Sequence, residues 1–289
     1  MIQRSTIQLL RFHFSFFLMP VYWFALSQVV NPDTGRSLLI FFILHILIYP
    51  SSNGFNSYMD KDEGSIGGLK SPLRPTRQLL YASLLMDSLA ILLSLFISLY
   101  FTIAAALYIL ASRAYSARSI RIKKYPLAGY AVVVICQGAL VFFMVYHGSH
   151  DLLSLHVPPL GMISASLLIG GFYPLTQIYQ HAADAKDGVK TISAKLGIRG
   201  TFKFCGVIYG IAFFMLAYFF LISLELKEFL ILSTCMLPIL VYFMKWAAQV
   251  WRNPSLADFR HTMRMNIIAS CFTSVGFILV FLMHRMYNS

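Results

Sequence analysis

Two polar segments interrupt an otherwise apolar chain, and each ends in acidic residues at helical spacing. The first runs from Asn53 to Glu63 and the second from Gln180 to Lys190. Together they hold five of the eleven carboxylates in 289 residues. Because carboxylates are costly close to a lipid bilayer, this concentration indicates a functional site.

The spacing within each segment brings oxygen ligands together. Residues four apart lie on one face of a helix, so Asn56 and Asp60 project together, as do Gln180 and Asp184. Carboxylate and amide oxygens are the ligands that Mg²⁺ takes alongside water and substrate phosphates. We therefore predict a Mg²⁺ site for a diphosphate, with the metal ligands Asn56, Asp60, Asp62, Asp184 and Asp187.

Charge explains why such a site needs metal. Two like charges ~4 Å apart repel by about 4 kcal/mol at an effective dielectric near 20, so a diphosphate could not approach these carboxylates alone. Divalent ions reverse the repulsion, and nearby cations stabilise the charge that grows on a departing diphosphate. The basic residues expected in this role are Lys70, Arg74, Arg121, Lys123 and Lys190. A solvated helix cap is the alternative for either segment alone.

The rest of the chain has the composition of an integral membrane protein. It is 58% hydrophobic and 12% charged, with a mean hydropathy of +0.70. Nine apolar segments have the roughly 17–25 residues that a spanning helix needs. We predict one all-α domain over residues 1–289, with spans near 7–29, 37–58, 77–98, 99–115, 127–147, 157–179, 201–223, 228–250 and 264–284. The four cysteines lie in apolar runs and indicate neither disulfides nor a zinc site.

The distribution of basic residues predicts the topology. With a cytoplasmic N-terminus, only Arg36, Lys227 and Arg285 of the 23 Lys and Arg residues fall outside. This asymmetry follows the positive-inside rule, and it explains the net charge of +12 without a nucleic acid partner. The assignment counts Arg113 in a cytoplasmic loop. It also places both acidic segments at cytoplasmic helix ends, after the second and sixth helices, which predicts a shared cavity opening near that face.

The motifs resemble those of the UbiA superfamily of intramembrane prenyltransferases, over essentially the whole chain. That family has nine transmembrane helices and two Asp-rich motifs, which follow helices 2 and 6. Asn56-Ser-Tyr-Met-Asp60 matches the first motif, and Asp184-Ala-Lys-Asp187-Gly-Val-Lys190-Thr resembles the second. Tyr115-Ser-Ala-Arg118-Ser-Ile-Arg121-Ile-Lys123 is similar to the basic element after helix 4. Arg11-Phe-His13 resembles the start of helix 1.

The resemblance implies Mg²⁺-dependent transfer of an isoprenyl group from a prenyl diphosphate to an aromatic or lipidic acceptor. Loss of diphosphate would leave an allylic cation, which a carbon of the hydrophobic acceptor attacks. The implied catalytic residues are Tyr115, Arg121, Lys123, Lys190 and Lys70. The implied diphosphate-binding residues are Asn53, Arg74, Arg118 and Gln180. The expected location is a bacterial inner (plasma) membrane, with multiple spans among the membrane lipids.

Three positions depart from the family pattern. Gln180 stands where a first acid of the second motif is expected, and Gly64 stands four residues after Asp60, where another acid is expected. Lys70-Ser-Pro72 replaces the usual Asn-Arg-Pro. These changes lower the ligand charge, so weaker metal binding, an altered substrate and lost activity all stay open.

Three other functions stay open from the sequence. A membrane terpene cyclase would ionise the same diphosphate but use no acceptor. A transporter would use the acids as a cation pathway, although transporters usually hold such sites near the bilayer midplane on broken helices. An inactive homologue would keep the fold alone. The acceptor, the prenyl length and the oligomeric state are not fixed by the sequence.

Overall fold

The computed structural model describes residues 2–61 and 63–287, and helices with short connections make up this part of the chain, with no β-strand within it. Nine of the ten helices are long, and α7 is a short one between α6 and α8. The helices are α1 (Arg4–Ser27), α2 (Thr34–Asp60), α3 (Arg77–Ser94), α4 (Leu99–Ser116), α5 (Pro126–Ser149), α6 (Pro159–Gln177), α7 (His181–Lys186), α8 (Ile192–Ile222), α9 (Leu226–Arg252) and α10 (Phe259–Tyr287).

Seven of the described helices are long and apolar enough to cross a membrane, which fits an integral membrane protein. They are α1, α2, α5, α6, α8, α9 and α10. Helices α3 and α4 are not among these seven. Each has 18 residues and includes a charged side chain, Asp87 within α3 and Arg113 in the last turn of α4. The count of nine spans and their orientation therefore stay predictions.

The charged residues of α3 and α4 pair with each other. Arg113 donates from Nε to Asp87 Oδ2 at 3.0 Å and from Nη2 to Ser51 Oγ of α2 at 2.6 Å. The assignment of Arg113 to a loop was wrong, because its side chain is largely buried in the last turn of α4. Hydropathy cannot detect this arrangement, since it scores each charge alone. A buried charge is tolerated when a partner of opposite sign neutralises it.

Helix α8 begins at Ile192, well before the predicted span of 201–223. The Thr191 side chain caps it by accepting from Ala194 N at 3.2 Å, and such a cap satisfies an otherwise unpaired N–H group. Gly197 has a φ of +69° inside the helix and kinks it. The first turns of α8 include Lys195 and Arg199, so the continuous apolar segment on which the prediction was based begins only after them.

The core forms where α1, α5 and α10 meet. Phe24 is fully buried there; its ring stacks on Phe277 with centroids 4.4 Å apart and meets Phe142 edge-on at 5.0 Å. Aromatic pairs at these separations add about 0.5–1.5 kcal/mol beyond the area they bury. Helix α8 packs on α6, α9 on α10, and α10 on α1, so chain neighbours lie side by side and the last helix contacts the first. This closure brings the ends of α2, α4 and α6 around one cavity.

Candidate active site

The two acidic segments border one cavity of about 220 Å³ at an end of the bundle. Helix α2 contributes Asn53, Asn56 and Asp60 to its wall, and the segment after α6 contributes Gln180 and Asp184. These residues are more than a hundred positions apart in the chain. The structure therefore brings both segments to one cavity at the same end of the bundle, and the catalytic role of this cavity stays a prediction.

Asp60 is a largely enclosed carboxylate of this cavity, with a side chain only 7% exposed. It is the last residue of α2, because Lys61 adopts the left-handed conformation and ends the helix. Lys123 forms an ion pair with Asp60 Oδ2, and Arg121 Nη2 lies 3.6 Å from Oδ1. Oδ1 is buried and has no hydrogen-bond donor among the described residues. One oxygen of Asp60 thus remains available to a ligand.

Asp187 follows α7 and lies against two arginines. Arg121 pairs with its carboxylate and donates to its backbone carbonyl at 3.1 Å, while Arg118 Nη1 is 3.2 Å from Oδ1. Partial burial opposes ionisation, but the hydrogen bond and charge of Arg121, with those of Arg118, outweigh it and lower the pKa of Asp187. The next residue, Gly188, has a φ of +66°, a conformation that glycine adopts at little cost.

The loop after α4 holds the two acidic segments together. Arg118 donates to the carbonyls of Met59 at 2.8 Å and Asp60 at 3.3 Å while it contacts Asp187. Arg121 contacts Asp60 and Asp187 together. Since guanidinium groups carry five donors in a fixed fork, they suit this bridging position.

Tyrosines and amides form the inner wall of the cavity. Tyr115 and Tyr173 share a hydrogen bond between their hydroxyl groups, and Gln177 Nε2 donates to the Tyr173 hydroxyl oxygen at 2.8 Å. Ser116 Oγ donates to Asn56 Oδ1 at 2.8 Å, which fixes the orientation of that amide. Tyr173 and Gln177 were not among the sequence-predicted site residues, since both precede the polar segment that begins at Gln180.

The loop between α2 and α3 closes one side of the cavity and is tied to α1. Arg11 interrupts α1 with a φ of 49° and donates to Gly67 O at 3.1 Å and Asn53 O at 3.2 Å. Gln180 Nε2 donates to Ser65 O at 3.3 Å. Arg11 borders the cavity and is 6% exposed. The Arg11-Phe-His13 element was the only sequence signal for it.

Comparison with known proteins identifies the family. Residues 15–268 match the UbiA prenyltransferase family. The chain belongs to that family. No curated protein matches this UbiA sequence.

Solved UbiA structures share the fold at low sequence identity. The chain is similar to a UbiA homologue from Archaeoglobus fulgidus, with a TM-score of 0.69 and 19% identity over 96% of this chain and 99% of that one. The same homologue bound to GPP and Mg²⁺ gives a TM-score of 0.68 at 21% identity, with the same coverage. A structure described as digeranylgeranylglyceryl phosphate synthase gives 0.64 at 19% identity, covering 96% of this chain and 98% of that one.

Several predicted residues of this UbiA chain lie away from the cavity wall. Lys70 and Lys190 are exposed, and Arg74 is almost fully exposed at 3.9 Å from Glu63. Asp62, a predicted metal ligand, lies outside the described residues. Three more predicted residues lie at the rim of the cavity, beside its acidic residues, but do not line its interior: Arg118, Arg121 and Asp187. Seven of the predicted site residues line the cavity interior: Asn53, Asn56, Asp60, Tyr115, Lys123, Gln180 and Asp184.

The donor set fits Mg²⁺ shared with a substrate better than a protein-only metal cage. Within residues 2–61 and 63–287, no three His, Cys, Asp or Glu side chains cluster closely enough to hold a metal ion by themselves. Two carboxylates and several amides nevertheless border the cavity, and Asp60 Oδ1 is buried without a donor in that same part of the chain. Mg²⁺ usually binds through one or two carboxylates plus water and substrate phosphates. These residues therefore fit the ion.

Proposed function

We propose that this protein is a Mg²⁺-dependent prenyltransferase, which moves an isoprenyl group from a prenyl diphosphate to an aromatic or lipidic acceptor. The observation that carries the proposal is that Asp60 and Asp184, from the two acidic segments, border one cavity whose rim holds Arg121 and Lys123. Membership of the UbiA prenyltransferase family supports it. So do relatives with bound GPP or DMAPP together with Mg²⁺.

The polar cavity suits the diphosphate. Asp60, Asp184 and Asn56 would hold Mg²⁺, which when bound offsets the charge of the diphosphate and makes it a better leaving group. Arg118, Arg121 and Lys123 supply further positive charge at the same rim. Fixed cations near the leaving oxygen stabilise the charge that develops as the bond breaks.

The inner wall suits the carbon end of the substrate. As the allylic C–O bond breaks, its electron pair leaves with the diphosphate, and the cation remains near Tyr115 and Tyr173. Aromatic faces attract such a cation, most strongly where water is excluded. With an aromatic acceptor, a π-electron pair of the ring then forms the new C–C bond, and the proton on that carbon passes to the released diphosphate.

The proposal includes topology and location. Nine spans with a cytoplasmic N-terminus would put the cavity at the cytoplasmic face, where water-soluble diphosphates and Mg²⁺ are available. The pairing of Asp87 with Arg113 supports α3 and α4 as spans, because it removes the main obstacle to burying them. The strong bias of the basic residues supports this orientation, and the location included in the proposal is a bacterial inner membrane.

A product assay tests the proposal. Purified protein with Mg²⁺ and radiolabelled prenyl diphosphates of several lengths should form a lipid product only when lipid extract supplies an acceptor. The Asp60→Ala and Asp184→Ala variants should each lose at least about 100-fold in rate, as expected when a main electrostatic partner of the reacting group is removed. Both variants should keep the wild-type elution volume and helical circular dichroism.

A control variant and the identity of the products distinguish a prenyltransferase from the alternative functions. Asp151 is exposed and its carboxylate accepts only local hydrogen bonds, so Asp151→Asn should keep wild-type turnover. A cyclised hydrocarbon made without lipid extract would indicate a terpene cyclase instead. Full turnover by both cavity variants would disprove the site, and no Mg²⁺-dependent consumption of any prenyl diphosphate would disprove the activity.

A further inference from the structure

A second cavity of about 160 Å³ continues from the diphosphate cavity into the apolar part of the bundle. The two cavities share Phe14, Gln137, Tyr173 and Thr176 in their walls, so they adjoin at Tyr173 of the inner wall. We call the second cavity the inner chamber; its walls come from α1, α5, α6, α8 and α10. None of its lining residues in the described chain is Asp, Glu, Lys, Arg or His.

A buried polar side chain of α10, Asn266, faces this chamber. Asn266 of α10 is 2% exposed, and neither its Oδ1 nor its Nδ2 has a hydrogen-bond partner in residues 2–61 and 63–287. Leaving a buried donor or acceptor unpaired costs about 1–3 kcal/mol per group. An apolar residue at this position would avoid that cost. The amide therefore makes physical sense as a group whose partner is a ligand.

Further hydroxyl groups lie around Asn266. Ser270 and Thr273 follow it on the same helix face, one and two turns later, and both line the chamber. Tyr209 of α8 also lines the chamber, and its hydroxyl is buried without a partner in the part of the chain that the structure describes. The chamber is thus an apolar pocket with a few convergent neutral polar groups, which is the usual composition of a small-molecule site.

We propose that Asn266 recognises the acceptor, and that the acceptor is a neutral ring compound bearing a hydroxyl or carbonyl group. This proposal rests on the proposed function for the reaction itself. The carboxamide offers one acceptor oxygen and two N–H donors, so a phenolic O–H can donate to Oδ1 and a carbonyl can accept from Nδ2. A carboxylate or phosphate on the ring is excluded, because the described walls of the chamber offer no cation to pair with it.

Photolabelling with a surrogate ring compound tests the proposal. Hydroxybenzophenone is a neutral, photoreactive ring compound with one hydroxyl and one carbonyl group. Irradiated with the intact protein in detergent, it should label chamber residues of α1, α6 or α10, located by peptide mass spectrometry. Asn266→Leu should raise its half-saturating concentration about five- to tenfold, the equivalent of the ~1–1.4 kcal/mol that hydrogen bonds to a neutral partner contribute. A carboxylated benzophenone should label the chamber at least about tenfold less.

Two variants control for indirect effects of substitution. Ser274 is on the same helix, and its buried hydroxyl also lacks a partner in the described structure, but it does not line the chamber. Ser274→Ala should leave labelling unchanged. Thr273→Val keeps the shape of a chamber residue without its hydroxyl and should weaken labelling by a smaller factor than Asn266→Leu. Thermal unfolding of each variant verifies the fold, because replacing an unpaired buried amide by Leu should not lower the midpoint.

The possible results test acceptor recognition by Asn266 separately from the proposed prenyl transfer. Equal labelling of wild type and Asn266→Leu, labelling only outside the chamber, no labelling at all, or equal labelling by the carboxylated probe would each overturn it. A water-filled chamber without a ligand role gives the first or third result. Mg²⁺-dependent consumption of prenyl diphosphate, measured in parallel, reports on the proposed function alone. Asp60→Ala should abolish that consumption and leave the labelling intact.

Discussion

Arg121 and Asp187 form an ion pair between the loop after α4 and the segment after α7. The same guanidinium lies 3.6 Å from Asp60 at the end of α2. One largely buried side chain thus contacts both acidic motifs. These contacts also neutralise carboxylates that would otherwise repel each other beside one cavity.

The first prediction concerns this bridge. Arg121→Gln should lower kcat/KM for the prenyl diphosphate by about 100- to 1,000-fold, because it removes a fixed positive charge from the leaving group. Steady-state kinetics at saturating Mg²⁺ measure the change. Arg260→Gln removes an exposed arginine that lies outside the cavity wall and should leave kcat/KM unchanged. Similar losses in both variants would indicate a general charge effect rather than a specific contact.

The second prediction follows from the lowered pKa of Asp187. A carboxyl group whose pKa is lower when folded stabilises the fold fully above its ordinary pKa of 3.8, and this contribution is lost as the pH falls through the lowered pKa. Asp187→Asn should therefore lose less thermal stability than the wild type on acidification below 3.8. Unfolding midpoints across a pH series measure the slopes, and parallel slopes would contradict the assignment.

The third prediction concerns the buried pair of α3 and α4. Asp87→Leu should destabilise the protein by about 3–5 kcal/mol, since it leaves the Arg113 charge buried without its partner. The double variant Asp87→Leu with Arg113→Met should recover most of the loss, because it removes both charges. Unfolding in detergent of the wild type, the double variant and both single variants, Asp87→Leu and Arg113→Met, gives the double-mutant cycle. Ser88→Ala, at an exposed neighbouring position, should be neutral, and additive losses in the double variant would exclude the pairing.

The fourth prediction concerns the turn after Asp187. Gly188→Ala should destabilise the protein by about 1–2 kcal/mol, because a Cβ disfavours the left-handed φ of +66°. The cost comes from the backbone conformation, since an added Cβ would meet no neighbouring atom within 4 Å. Gly210 also has no neighbour within 4 Å but is helical, so Gly210→Ala should stabilise by up to about 1 kcal/mol. Thermal unfolding of both variants gives the comparison, and equal signs would contradict the conformational argument.

Particular residues show how far sequence reasoning reached. The helical spacing of Asn56 with Asp60, and of Gln180 with Asp184, indicated oxygen ligands on one helix face, and all four line the same cavity. Periodicity and spacing are local properties, so the sequence contains them directly. An acid inside an apolar helix, such as Asp87, needs a buried partner, and the structure shows that this partner is Arg113.

Contacts between distant segments could not be derived in this way. Lys70, Arg74 and Lys190 looked equivalent to Lys123 as cations beside a motif, yet of these four only Lys123 points at Asp60 and lines the cavity. Arg11 joins the site because a break in α1 turns it towards Asn53 and Gly67. Sequence distance does not determine which side of a loop faces a cavity, since that depends on how the loop packs.

By itself, the sequence determined the membrane class, the approximate helices, the family and the polar chemistry of the two motifs, because each depends on residue types at short spacing. Only the tertiary structure decided which cations meet which carboxylates, that α3 and α4 cancel each other's charge, and that Asn266 faces an inner chamber without a partner in the described residues. Those outcomes depend on side chains from helices far apart in the chain, whose relative rotation is set by packing across the whole bundle.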